Sequence, residues 1–240
     1  AVLFAIFCIL GALGGGNMFQ ANQAHAMLTY AFDVPSEYGV ITGLVLAALV
    51  FSVIVGGMPS IASVTEKVVP WMAALYIGMA LIVIGSNLDQ VGNAFSAIFS
   101  GAFTGEGVVG GFIGALIQGL KRATFSNEAG VGSAAIAHSA VKTKEPITEG
   151  LVSLLEPFVD TVIICTMTAL VITIAGLNTG PYDGTGLTGV TLTAASFTET
   201  AEVFKYTLAL AVIMFAFSTM ISWSYYGLKA WTYLFGEGKT

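Results

Sequence analysis

The sequence predicts an all-α membrane protein with six spanning helices, the fourth of them broken. Three observations carry that prediction. Of the 240 residues, 56% are hydrophobic and only 9% charged, whereas a soluble domain carries about a quarter, and the mean hydropathy is +0.87. Six apolar stretches each approach or exceed the roughly 20 residues that a spanning helix requires. Finally, the basic residues fall on every second connection between those stretches.

The first span is expected from about Ala1 to Leu28, ending in the turn Asp33-Val-Pro-Ser-Glu37. The second runs from Val40 to Val55 and stops at Gly56-Gly57-Met58-Pro59. The third follows Glu66-Lys67 and runs from Val68 to Ile84, with Pro70 in its first turn, where proline is tolerated. Ser86 to Gly110 is a glycine-rich connection whose Ala94–Phe103 portion suits a short interfacial helix. The broken fourth span covers about Gly111 to Ala140, and the fifth Gly150 to Ala175. A connection from Gly176 to Glu202, with a short helix near Leu192–Thr200, leads to the sixth span, Phe204 to Leu228.

Lys67, Lys142, Lys144, Lys229 and Lys239 lie on alternate connections, and Ala31–Gly39, Ser86–Gly110 and Gly176–Glu202 hold no basic residue. The positive-inside rule makes the first set cytoplasmic, together with the N-terminus of the first span. The net charge of -6 and the lack of a basic run argue against nucleic acid as a partner. Cys8 and Cys165, each within an apolar run, read as small buried hydrophobes, neither disulfide nor metal ligands. The chain opens Ala-Val-Leu-Phe-Ala, inside a span and without the charged region of a signal peptide, which is the expectation for a segment of a longer membrane protein.

The break in the fourth span organises the rest. Residues 123–140 read Ala-Thr-Phe-Ser-Asn-Glu-Ala-Gly-Val-Gly-Ser-Ala-Ala-Ile-Ala-His-Ser-Ala. At membrane depth every backbone group must find a partner, so an interrupted helix survives only where it lines a protein-walled cavity. Such a segment is a binding-site hypothesis by default. Ser126 and Asn127 are good N-cap types, and Glu128 suits the first turn of the second half-helix. Opposed half-helix ends favour a small zwitterion, or a cation with an anionic group. A nucleotide loop at Gly130-Val-Gly132 would need a preceding strand, which the pattern does not offer.

Other polar groups fall around this break. Asn17, Gln20 and Gln23 recur at helical spacing behind Gly14-Gly15-Gly16, either as interhelical glue or facing a polar cavity. Lys121 and Arg122 precede the break and cannot face lipid cheaply. Asp160, one turn beyond Glu156, falls near mid-membrane and is the expected ion-pair partner of Arg122 or Lys121. His138, alone among small residues, reads as a satisfied core histidine. Ser218 and Thr219 form an adjacent hydroxyl pair suited to a hard cation, or to bonding back along their own helix. No catalytic triad or metal-ligand cluster emerges, so the sequence supports no enzyme.

The run Phe125-Ser-Asn-Glu-Ala-Gly-Val-Gly-Ser-Ala134, continuing Ile-Ala-His-Ser-Ala, resembles the signature of the alanine or glycine:cation symporter (sodium:alanine symporter) family. The resemblance extends through Gly16-Asn-Met-Phe-Gln-Ala-Asn22, Asp160-Thr161, Cys165-Thr-Met-Thr-Ala-Leu170, Phe217-Ser-Thr219 and Ser222-Trp-Ser-Tyr-Tyr-Gly227, and so covers essentially the whole chain. It implies the inverted five-plus-five helix repeat, with residues 1–240 as one partial membrane domain holding about the third to eighth helices. It implies sodium-coupled import of alanine or glycine across the cell membrane. The alternatives are a proton-coupled small amino-acid carrier and a non-transporting amino-acid sensor. Carried over by position, Gln20, Thr124, Phe125, Ser126, Asn127 and Trp223 would bind substrate, and Ser218 and Thr219 the sodium ion. The expected partners are the amino acid, membrane lipid and the remaining helices of the same transporter.

Overall fold

The structure is a computed structural model that describes residues 1–103, 111–180 and 185–239, and the side chains of these except residues 111, 112, 115, 122–125 and 239. The described residues are helical, with turns between, and fall into two compact units, 1–79 with 187–240 and 80–186. Among the described residues five helical stretches are long and apolar enough to cross a membrane: Val2–Phe32, Ser36–Ile54, Gly57–Ser86, Pro146–Thr179 and Phe204–Phe235. Many of their large apolar side chains point outward, among them Leu3, Phe7, Val40, Leu44 and Phe51. Helices apolar all round need a hydrocarbon solvent, and the protein is a multi-pass membrane protein.

The first unit opens with α1 (Val2–Leu13), a π-helical turn at Gly14–Met18 and α2 (Phe19–Phe32). Asp33, left-handed at φ 54°, ends α2 at the expected turn. A 3-10 turn, Ser36–Tyr38, leads into α3 (Gly39–Ile54), close to the expected second span. The helix α4 (Gly57–Ser86) begins eleven residues earlier than expected, so Pro70 lies in its interior rather than its first turn. Gly57, at φ 65°, makes the entry into α4. The last helix of this unit, α13 (Phe204–Phe235), packs against α1, α2 and α3. Ala24, Leu46, Val50, Val53, Ile61, Ala216, Met220 and Ile221 form the buried centre.

In the second unit α5 (Leu88–Phe103) extends the expected interfacial helix by six residues at its start. It packs on the later part of the fifth span through Ala94, Leu170 and Ile174. The fourth span is divided into α6 (Gly111–Ser126), α7 (Glu128–Val131) and α8 (Ala134–His138). No piece is long enough to cross alone, which is why five unbroken spans are seen where the sequence predicts six with one broken. The fifth span is α9 (Pro146–Ser153), α10 (Leu155–Pro157), a π-helical stretch Phe158–Cys165 and α11 (Thr166–Thr179). Pro157 has no amide hydrogen to continue the α ladder, and the wider turns follow directly after it.

The chain returns to the first unit through α12 (Val190–Thr198), against two residues' difference from the expected helix, and α13 (Phe204–Phe235). Phe197 is fully buried and packs its ring against Tyr76 at 5.5 Å. The helix α12 also packs on α2 and α13.

Candidate functional site

The break is built by residues that stop one helix and start the next. Asn127 adopts extended backbone, φ -130° and ψ 157°, between α6 and α7. Its Oδ1 accepts from the Gly130 amide at 3.2 Å, the N-cap role expected of it. Glu128 takes the first turn of α7, and Gly132, at φ 89°, ends that turn in a left-handed conformation. Ser133 is fully buried and donates to Glu128 Oε2 at 3.3 Å.

Donors at the break are taken up by the middle of the fifth span. Glu156 Oε1 accepts from the Glu128 amide at 3.0 Å. Asn127 Nδ2 donates to Thr161 Oγ1 at 2.8 Å. Ser126 Oγ donates to Asp160 Oδ2, and Cys165 Sγ lies 3.2 Å from the same hydroxyl. With its single proton given to Asp160, Ser126 accepts from the Cys165 thiol. Four residues of one segment thus meet three successive residues of the other.

The backbone of Arg122, Thr124 and Phe125 lies in the closing turns of α6, but their side chains, and with them the expected Arg122–Asp160 pair, lie outside the described residues. Asp160 Oδ2 accepts from the Ser126 hydroxyl. His138, at the end of α8, has a partner but is part-buried rather than in the core as expected: Glu149 Oε1 lies 2.5 Å from its Nδ1.

The other expected site residues belong to the first unit. The π turn at Gly14–Met18 loosens the helical ladder, and two amide side chains fill the gaps. Asn17 Nδ2 donates to the Ala12 carbonyl at 2.7 Å, and Gln20 Nε2 to the Gly15 carbonyl at 3.2 Å. Among the described residues Gln20 keeps its Oε1 and a second amide hydrogen for another partner. Trp223 packs edge-on to Tyr226, with ring centroids 5.5 Å apart, and lies directly on Gly16. Gly227 on the same helix faces Ala12. Small residues let α1 and α13 approach closely, as the glycine run suggests.

Ser218 is buried, with its hydroxyl 3.0 Å from the Phe215 carbonyl and 3.6 Å from Met72 Sδ. Ser222 and Ser224 also bond back along the helix. Thr219 forms no hydrogen bond among the described residues. Among the described residues its hydroxyl oxygen therefore has both lone pairs unspent, and Ser218, donating its proton, has lone pairs to offer as well.

Sequence reasoning did not find Gln23 as the residue that holds α12. Gln23 Oε1 accepts from the Val190 amide at 3.1 Å, and a Cβ on Gly189, at φ 56°, would lie 2.7 Å from that oxygen. The glycine immediately before a short helix was the available signal. Thr161 was named only as part of a motif, although its place after Asp160 puts it within reach of the break.

The model of the sodium:alanine symporter family matches residues 1–240. Over 239 residues the chain is 44% identical to the sodium/alanine symporter AgcS of Methanococcus maripaludis, covering 98% of this chain and 51% of that protein. It is 36% identical over 226 residues to the probable sodium/glutamine symporter GlnT of Bacillus subtilis, covering 93% and 46%. It is 33% identical over 219 residues to a sodium/proton-dependent alanine carrier protein of Bacillus sp. (strain PS3), covering 86% and 48%. The chain spans about half the length of these curated relatives. No solved structure matches it significantly.

Proposed function

The chain belongs to the sodium:alanine symporter family, and from that premise we propose that the protein carries alanine or glycine into the cell together with a sodium ion, by alternating access. The observation that carries this reading is the interruption at Asn127, where a helix at membrane depth stops and restarts. Gln20, Thr124, Phe125, Ser126, Asn127 and Trp223 line the amino-acid site in this reading, and Ser218 and Thr219 supply oxygen ligands to sodium. The 240 residues correspond to about the third to eighth helices of the five-plus-five repeat, and further helices complete both sites. The N-terminus of the first span is cytoplasmic, as the distribution of lysines argues.

Coupling follows from differential affinity. Sodium bound beside α13 would favour the outward-open state that accepts the amino acid, and a ligand shifts an equilibrium only by preferring one state. The name of the Bacillus sp. relative brings proton coupling forward as the second reading.

The test is uptake of labelled alanine by liposomes containing the full-length protein, under an inward sodium gradient or an inward potassium gradient. Glycine and glutamine serve as competitors. Sodium-dependent accumulation, lost on Trp223→Ala and shifted to higher sodium on Thr219→Val, is the expected result. Uptake driven by a proton gradient and indifferent to sodium would favour the second reading, and binding without uptake a sensor.

A further inference from the structure

Resting on the reading that the break borders the amino-acid site, we propose that Glu156, Asp160 and Thr161 are positioning residues that strap the break to the fifth span. A helix that stops inside a membrane leaves amide donors and carbonyl acceptors unspent, and each unspent group is costly there. Around Asn127 several of those groups, with the side chains that flank them, are met from one place. Glu156 takes the Glu128 amide, Thr161 the Asn127 amide group, and Asp160 the Ser126 hydroxyl. Cys165 closes the same row from the far end of the π-helical stretch.

Two features make this a device rather than a scatter of contacts. First, the acceptors Asp160 and Thr161 come from the stretch where the fifth span leaves α geometry just after Pro157, and Glu156 stands immediately before that proline. Wider turns alter the directions in which successive side chains leave the axis, and π segments often occur at functional positions for that reason. Second, Asn127 is engaged at both ends, its Oδ1 by Gly130 and its Nδ2 by Thr161. Its side chain is thereby committed to holding the break. Ser126 is likewise committed to Asp160 and Cys165. Both residues then border the amino-acid site through the backbone, whose orientation the strap sets. The segment 126–133 and the segment 156–165 move as one piece.

Cys165 provides a readout independent of transport. Alkylation of Cys165 in the full-length protein, followed by peptide mass spectrometry with a membrane-permeant maleimide, reports opening of the strap. Thr161→Val removes one acceptor at nearly constant shape. It should accelerate alkylation about tenfold and raise the KM for alanine about tenfold, with kcat within about twofold, on the scale of one hydrogen bond. Thr161→Ser restores the hydroxyl and should restore both. If the valine variant does not fold, Asn127→Asp removes the donor while keeping the cap on Gly130, and should accelerate alkylation likewise. A folded variant of either kind that alkylates at the wild-type rate overturns the proposal. Wild-type protein that carries neither alanine nor glycine would defeat the functional reading alone, since the alkylation ratio still decides whether the strap exists.

Discussion

Gly16 lies directly beneath the indole of Trp223: a Cβ there would sit 2.8 Å from Trp223 Cδ2, and closer still to its Cβ and Cγ. The π turn of the first span and the aromatic ring of the last are therefore one packing unit, and the absence of a side chain at position 16 is what admits the ring.

Gly16→Ala should force the helices apart, at a cost of about 1–3 kcal/mol for overpacking. The measurement is thermal unfolding in detergent, beside Gly14→Ala as a control, because a Cβ at Gly14 meets nothing within 4 Å. Equal losses from the two variants would show that Trp223 does not rest on Gly16.

Gln23 and Gly189 make a second interlocking pair. Gln23→Leu leaves the Val190 amide without its acceptor, a loss of about 1 kcal/mol. Hydrogen exchange over residues 190–193 should quicken several-fold while α13 keeps its protection. Gly189→Ala should do the same for another reason, since alanine is strained at φ 56° and its Cβ meets the Gln23 oxygen.

Thr219 and Ser218 should separate by experiment. Thr219→Val deletes a hydroxyl that bonds to no described residue, so stability should change by no more than about 0.5 kcal/mol. If that oxygen holds sodium, half-saturation by sodium should rise about tenfold, corresponding to about 1.4 kcal/mol. Ser218→Ala removes a buried hydroxyl that also meets Phe215 and Met72, and should lower both sodium affinity and melting temperature. Uptake with unchanged sodium dependence in both variants would place the ion elsewhere.

His138 and Glu149 tie the end of α8 to α9. The pair is partly exposed, with side-chain exposures of 26% and 18%, so its worth is at most about 1 kcal/mol. Glu149→Gln should speed hydrogen exchange across 134–149 by a few-fold and leave the strap at Glu156 unaffected. Faster exchange at Cys165 as well would show that the two contacts are coupled.

Much of this architecture was legible in the sequence because the bilayer restricts the choices so severely. The apolar lengths located five of the spans, and Asp33 marked the end of the first. Ser126, Asn127 and Glu128 announced the break, since polar capping types in an apolar run have few other uses. Pro70 was misread because a proline suggested a helix start, whereas Gly57, a more permissive residue, makes the actual entry into α4. The strap was not legible: Thr161 and Glu156 reach Asn127 and Glu128 across some thirty residues, and for Thr161 only the turns after Pro157 decide which way it points. Gln23 was hidden similarly, its partner being an amide 167 residues away.

The π turn at Gly14–Met18 sets an angular phase. One residue of an α-helix corresponds to roughly 100° of rotation about the axis. Removing a single glycine from Gly14-Gly15-Gly16 and healing the ladder to regular α geometry would swing the helix beyond it by about that amount. Gln20 would turn away from its present direction, Gln23 away from Val190, and His25 away from Thr42, which its Nδ1 now meets at 3.0 Å. The glycine run works as a spacer in azimuth: two half-helices, spliced out of step, each face the neighbour they need.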